Sequence, residues 1–384
     1  LDAMGKACYN IRAISKKNNK EVSHMSNGKS GRKKLAKAVS IVILVILWCL
    51  VTTLFPEDDT TGTTNNTQQQ YETTATEQSE TTESTETNNN QETQNTNGTA
   101  TEEVLIFTMV DVGQADGFVL EYEDKVAVID CGAEDTCKAL VNYLNQREIT
   151  KIDFLFGSHP HDDHMGGMLT ILENFEIGKI IIPEVEGIGS DWYEELEDEF
   201  EVGDYNLEYL KEDDVYYLGD VTITVLEQFE PPLDEINNYS AIMKVTLGEI
   251  DILMTGDAET AVEKELLQSG KDISAEILKV GHHGSKTSTS NKFLDAVNPE
   301  YALISCAVRN KHKHPTETTM EKLESREIIV YRTDECGTVV LTITPTDVTF
   351  NCEPGDYLSG TELKEKVRDE LWKVTHILNA LRME

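Results

Sequence analysis

Residues 152–168 read IDFLFGSHPHDDHMGGM, an apolar run of strand length that ends in three histidines and two aspartates within six positions, 159–164. A packed core would leave those carboxylates unpaired, and a solvated loop needs no such density of imidazoles. Imidazole nitrogen with carboxylate oxygen is the donor set that borderline divalent ions accept. His159, His161, Asp163 and His164 follow at i, i+2, i+4, i+5, in a loop that can splay alternate side chains around one point. Gly166 and Gly167 are expected to let the backbone turn tightly into a helix. One loop does not complete such a site. The fold must therefore bring other strand ends to the same edge, and that requirement limits it severely.

Several strand ends carry suitable side chains. ILMTGDAE (252–259) supplies Asp257 at a Gly-Asp turn, and ILKVGHHGS (277–285) supplies His282 and His283. NKHKHPTE (310–317) adds His312 and His314 in a loop before a helix. DVGQADG (111–117) and Asp130 in VIDCG are weaker signals, because Asp before Gly is ordinary turn chemistry. Each falls at the C-terminal end of an expected strand or just after it. Lys279, Ser285 and Lys286 flank the second histidine pair and are candidates for contacting a substrate anion, with solvated loop residues as the competing reading.

The remaining chain divides by composition. Residues 1–34 form a basic tail, with Lys16, Lys17, Lys20, Arg32 and Lys33 among its charges. LAKAVSIVILVILWCLVTTLF (35–55) has no charge from Ala38 to Phe55, the length that crosses a hydrocarbon core of roughly 30 Å. Lysines on its N-terminal side only predict a single-pass anchor, tail inside and the rest outside the cell. A buried helix of a soluble protein is the competing reading. Residues 56–103, rich in Thr, Asn, Gln and Glu, cannot bury enough apolar surface to offset their ordering entropy and read as a disordered stalk. Of seven cysteines, Cys131, Cys137, Cys306, Cys336 and Cys352 follow the stalk; no CxxC pair occurs, so disulfides are permitted but not implied.

From Val104 onward, strand-length runs alternate with helical patterns. KVAVID (125–130), GKIIIP (178–183), VTITVLE, SAIMKVTLG, EIDILMTGD, YALISC and EIIVYR read as strands, and TCKALVNYLNQR (136–147) and TETTMEKLESR as helices. An acidic insert occupies 190–214, and a Pro-Gly break precedes an amphipathic helix over 361–383. Two mostly antiparallel sheets with helices outside suit this order, with two similar β-rich halves in an α+β chain.

The set VDVGQADG, VIDCG, SHPHDDHMGGM, NNYSAIMKV, ILMTGDAE, ILKVGHHGS and HKHPTE resembles the metallo-β-lactamase superfamily, and within it the C-terminal hydrolase domain of competence protein ComEC and its stand-alone relatives. The resemblance covers 104–353 and implies an αββα four-layer sandwich, with residues 354–384 as a separate C-terminal helix. It implies one or two divalent ions, zinc first and manganese second. His159 and His161 would hold the first, Asp163 and His164 the second; Asp257 would bridge them and His282 complete the second site, with His283 its rival. The family's further histidine for the first ion has no counterpart in INNYSAIM, where Asn237 or Asn238 would stand in, or His314 reach over.

The activity implied is metal-assisted hydrolysis, with Asp163 and Asp257 as catalytic carboxylates and a phosphodiester or nucleic acid as substrate. A formal net charge of −37 argues against a DNA-binding stripe, and leaves a small anionic diester, a cell-wall phosphocholine or teichoic-acid-type substrate, or nucleic acid reached through bound metals as the candidates. β-Lactam or ester hydrolysis and a non-catalytic surface binding module are the alternatives. Beyond substrate and membrane, no stable protein partner is expected.

Overall fold

Nearly every apolar run read as a strand is one in the computed structural model, which describes residues 103–185, 187–229 and 233–382. The expected tail, membrane anchor and all but the last residue of the stalk lie outside the described residues. A meander opens the fold: β1 (Leu105–Met109), β2 (Gly117–Tyr122) and β3 (Lys125–Cys131). Helix α1 (Lys138–Gln146) leads to β4 (Lys151–Phe156). The short α2 (Asp162–Met165) and α3 (Met168–Asn174) lead to β5 (Glu176–Ile182). The acidic insert becomes α4 (Asp191–Val202) and β6 (Leu207–Tyr209).

The second half repeats that plan. Its meander is β7 (Val215–Leu218), β8 (Val221–Glu227), β9 (Ile242–Leu247) and β10 (Ile250–Met254). Then come α5 (Thr260–Ser269), β11 (Ile277–Lys279), α6 (Asn291–Val297), β12 (Tyr301–Ile304), α7 (Glu317–Glu324) and β13 (Ile329–Arg332). The short α8 (Thr333–Cys336), the hairpin β14 (Val339–Thr344) and β15 (Asp347–Phe350), and α9 (Gly360–Arg382) close the chain.

The strands form an eight-stranded sheet ordered β15-β14-β1-β2-β3-β4-β5-β6 and a seven-stranded sheet ordered β13-β12-β11-β10-β9-β8-β7. Both are mixed, which corrects the mostly antiparallel expectation. Strands β3 to β6 pair in parallel, as do β10 to β13. The reason is the helix inserted between successive strands of each parallel run: a strand–helix–strand crossover returns the chain in the same direction.

Alternation along the strands builds three apolar layers. In β3, Ala127 and Ile129 face the core between the sheets, while Val126 and Val128 face α1. Between the sheets, Phe107, Phe118, Leu120 and Phe156 pack against Ile223, Met243, Val245 and Ile252. Outside the first sheet, Val128, Leu155 and Ile180 meet Leu140 and Leu144 of α1, Ile171 of α3 and Leu196 of α4. Outside the second, Leu253, Leu278 and Ala302 meet Val262 of α5, Phe293 of α6 and Met320 of α7. Helices therefore cover both outer faces, giving four layers, and strands buried on two faces account for the nearly unbroken apolar runs.

Helix α9 starts one residue before the expected position, its first turn tied to the domain by the Gly360 N–H donating to Pro315 O at 2.8 Å and by buried Leu363. No helix among the described residues is long and apolar enough to cross a membrane. The C-terminal ends of β3 and β4 in one sheet and of β10, β11 and β12 in the other give rise to the loops described next.

Candidate metal centre

Strand β4 ends at Phe156, and the chain passes through Ser158, His159 and His161 into the single helical turn α2, which carries Asp163 and His164. The glycines after it are needed for close approach rather than turning, which corrects the sequence-based reason. Gly167 has ordinary helical φ of −79°, but a Cβ there would lie 2.5 Å from Cys131 O and 2.6 Å from the Cys137 Sγ. Its N–H donates to Gly132 O at 2.9 Å, which seats α2 against the end of β3.

Across the sheet interface, Asp257 follows β10 and hangs from Ser240, whose Oγ accepts the Asp257 N–H at 2.9 Å. His282 and His283 follow β11 in a tight turn, both at positive φ (50° and 52°). Two adjacent non-glycine residues in that region are strained by about 1–3 kcal/mol each, a cost that clusters at functional sites. The turn aims the two imidazoles differently. His283 donates from Nδ1 to Ser305 O at 2.9 Å, so its Nε2 faces Asp163 Oδ2 at 3.4 Å and Asp257 Oδ1 at 3.6 Å. His282 instead places Nε2 3.5 Å from the other oxygen of Asp257, Oδ2.

One ligand atom from each of Asp163, His164, Asp257 and His283 lies within 4.8 Å of the others. Three of these atoms, His164 Nε2, Asp257 Oδ1 and His283 Nε2, are buried and make no hydrogen bond. Buried polar atoms are rarely left so. Two imidazole nitrogens and two carboxylate oxygens converging in this way fit a divalent ion.

A second layer holds the first. Asp130, itself at φ 60°, accepts from the Ser158 N–H and Oγ, both at 2.7 Å, and from His164 Nδ1 at 2.8 Å. That bond fixes the ring with Nε2 toward Asp257, 3.3 Å away. Asp116, fully buried, lies 2.8 Å from Lys279 Nζ and 3.4 Å from His283 Nδ1.

The charges are unbalanced. Asp116, Asp130 and Asp257 are buried and Asp163 is half-buried, with Lys279 buried among them. Burial opposes charge on Asp116, but Lys279 and His283 outweigh it and hold the carboxyl at about 2. Burial likewise opposes the charged form of His283, yet Asp257 and Asp116 lift it to about 10. His164 is raised in the same way against burial, by Asp257 and Asp130. The surplus of carboxylate thus draws positive charge to the two imidazoles that face the convergence point. His159, by contrast, is pushed well down by burial and by His164.

The other expected site residues fall into place around this group. His159 and His161 stand side by side, Nε2 to Nδ1 at 3.0 Å, with the His159 ring 4.1 Å from that of His164, and remain outside the four-atom group. The sequence pairs His282 with Asp163 and His164; the structure brings in its rival His283 instead, for the aiming reason given above. His314 sits 5.4 Å ring to ring from His282, its Nδ1 buried without a hydrogen bond. Asn238 is occupied elsewhere, accepting the Glu259 N–H at 3.1 Å and donating to Glu235, while Asn237 Nδ2 lies 3.5 Å from His282 Nδ1. Lys279 departs from its expected role: its side chain is wholly buried, with Nζ 2.8 Å from Asp116 and donating to Val280 O at 3.0 Å. Ser285 Oγ is engaged with Thr287 Oγ1 at 3.0 Å, and Lys286 is exposed.

Asp116, Asp130 and Ser158 are what the sequence reading underweighted or missed. The available signal was an aspartate at the start of β2 and another at the end of β3, adjacent strands whose register pairs Gly117 with Cys131.

Residues 110–308 match the family model described as the metallo-beta-lactamase superfamily. The chain is 32% identical to ComE operon protein 3 of Bacillus subtilis over 53% of its own length and 26% of that protein. It is 28% identical to competence protein ComA of Neisseria gonorrhoeae over 60% of its length and 31% of that protein. It thus spans roughly a quarter to a third of the curated relatives it matches. Among solved structures, the metallo-beta-lactamase fold protein YhfI from Bacillus subtilis is 12% identical at a TM-score of 0.42, covering 65% of this chain and 100% of that one.

Proposed function

Because the chain belongs to the metallo-beta-lactamase superfamily, we propose that it is a metal-dependent hydrolase of phosphodiester bonds, nucleic acid among them, held by residues 35–55 on the outer side of a membrane. The observation that carries the reading is the convergence of Asp163, His164, Asp257 and His283, three of them with buried atoms that make no hydrogen bond. A relative named as a competence protein supports nucleic acid as a substrate class.

Asp163, His164, Asp257 and His283 would hold the ion, zinc first and manganese second. Bound there, it would supply a lowered pKa for water, toward 7, and polarisation of a phosphoryl oxygen. Asp130 and Ser305 O fix the two imidazoles in the tautomer that points Nε2 inward. Asp257 offers Oδ1 to the group and Oδ2 to His282, whose side chain keeps 22% of its exposure and so lines the open side. Asp163, also partly open, would orient incoming water with the oxygen it does not give to the ion. Lys286 is exposed on the loop after His283, and Lys311 and Lys313 on the loop before His314, where they offer positive charge to an anion.

The test is hydrolysis of bis-p-nitrophenyl phosphate by the purified chain with added zinc or manganese. Asp257→Ala should lower turnover by about 100-fold or more, with the variant still folded. Unchanged turnover would remove the site assignment. A metal-loaded chain that cleaves no diester, nucleic acid or β-lactam would instead favour a binding module, and one that cleaves only the lactam would overturn the substrate class.

A further inference from the structure

Cys336 is the last residue of α8, and Cys352 follows β15 by two residues. Strands β14 and β15 pair with Leu341 opposite Phe350, and the Asn351 N–H continues the ladder by donating to Val340 O at 3.0 Å. Continued one step, that register sets Cys352 opposite Val339, three residues beyond Cys336. The Asn351 side chain closes the same corner, donating to Thr338 O at 3.1 Å. Cys336 Sγ donates to the carbonyl oxygen of Glu353, the residue after Cys352, at 3.5 Å, and the two thiols shift one another's ionisation. Both are half-buried at the rim of the core between the sheets, within reach of a small oxidant.

We infer that Cys336 and Cys352 are a disulfide-forming pair that fastens the outermost strand of the eight-stranded sheet to α8. The chemistry is thiol–disulfide exchange with an external disulfide such as oxidised glutathione. One thiol loses its proton and attacks a sulfur of that disulfide, releasing one glutathione thiolate. The second thiol, deprotonated in turn, attacks the mixed disulfide and releases the other. One S–S bond is broken and one formed; the protein gives up two protons and two electrons, and the reagent is reduced to two glutathione molecules.

The other cysteines of the described residues do not compete. Cys131, Cys137 and Cys306 are buried, and burial raises all three thiols. The bond would close a ring from 336 to 352 and pin the segment that follows. Carbonyls in that segment, of Asp356 and Leu358, accept from the buried Arg332 guanidinium.

The experiment uses the full chain, incubated with oxidised glutathione, alkylated without reductant, digested and mapped by mass spectrometry. A peptide joining Cys336 to Cys352 is expected, with Cys131, Cys137 and Cys306 alkylated only after unfolding. Reduction should lower the midpoint of thermal unfolding by roughly 6–12 °C, the shift for a ring of about 15 residues in a domain of this size. Cys352→Ser should abolish both the cross-link and the shift, and Cys336→Ser serves if that variant does not fold. Finding both cysteines alkylated in the oxidised chain, or either one joined to a different cysteine, overturns the pairing. Closure of the bond in the cell rests on the proposed export. If it forms in vitro but thiol trapping finds it open in cells, the export reading fails and the pairing stands.

Discussion

Asp130→Asn isolates what the layer behind the candidate ligands does. Asparagine keeps the volume and one carbonyl oxygen, so the Ser158 N–H at 2.7 Å retains its acceptor. The amide NH2 then replaces the oxygen that accepts from Ser158 Oγ at 2.7 Å and His164 Nδ1 at 2.8 Å. A donor now faces a donor. The imidazole escapes by moving its proton to Nε2, the nitrogen 3.3 Å from Asp257 that belongs to the four-atom group. That proton occupies the lone pair an ion needs. Removing an orienting partner of this kind typically weakens metal binding by about 10–100-fold, or about 1.4–2.8 kcal/mol. Affinity is measured by competing the purified chain against a chromophoric chelator for zinc at fixed pH. Ser158→Ala is the control, since it deletes one donor and leaves the Asp130–His164 bond, and it should lose much less. Parental affinity in Asp130→Asn, with normal thermal unfolding, would refute the orientation argument.

His283→Ala should weaken zinc binding more than His282→Ala in the same competition, because only His283 places a nitrogen in the four-atom group; the reverse order would restore His282 as the ligand. Lys279→Met leaves Asp116 buried beside no lysine, and breaking such a pair costs about 3–5 kcal/mol, read as a lower urea midpoint; an unchanged midpoint would show that Asp116 finds another partner. Gly167→Ala drives a methyl group into Cys131 O and the Cys137 side chain and should destabilise by about 1–3 kcal/mol, whereas a neutral result would mean that α2 can shift away from β3.

Much of the fold was legible because strands buried on two faces advertise themselves as long apolar runs, as in KVAVID and EIDILMTGD. Sheet direction was also written in the chain, in the helices between β3 and β6 and between β10 and β13, although the antiparallel expectation gave that alternation too little weight. The cluster at 159–164 stood out for its residue types. What stayed hidden was aim and partnership. Two adjacent histidines differ only in where a left-handed turn sends each ring. Lys279 looks like a loop-end cation until Asp116, far away in the chain, is found 2.8 Å from it. Asp116 and Asp130 resemble turn aspartates because a hydrogen bond to His164 or a contact with Lys279 leaves no mark in local sequence.

The same partnerships bear on how so acidic a chain could work on an anion. At a net charge of −37 the molecule repels polyanions at long range, and its candidate centre adds Asp116, Asp130, Asp163 and Asp257 against the buried Lys279. Repulsion of that kind is screened within about 8 Å at physiological salt, so what decides approach is the sign of the charge inside that distance. Those carboxylates make the centre favourable for cations first: they raise His164 and His283, while Lys279 and His283 in turn keep Asp116 ionised. A divalent cation satisfying the same carboxylates would offset their charge where a phosphate must arrive, while Lys286, Lys311 and Lys313 lie exposed on the neighbouring loops. On the proposed reading, recognition would depend on a small region of reversed sign rather than on a basic stripe. Short diesters and single strands threaded by their ends would fit such a region, and long duplexes lying across the acidic surface would not.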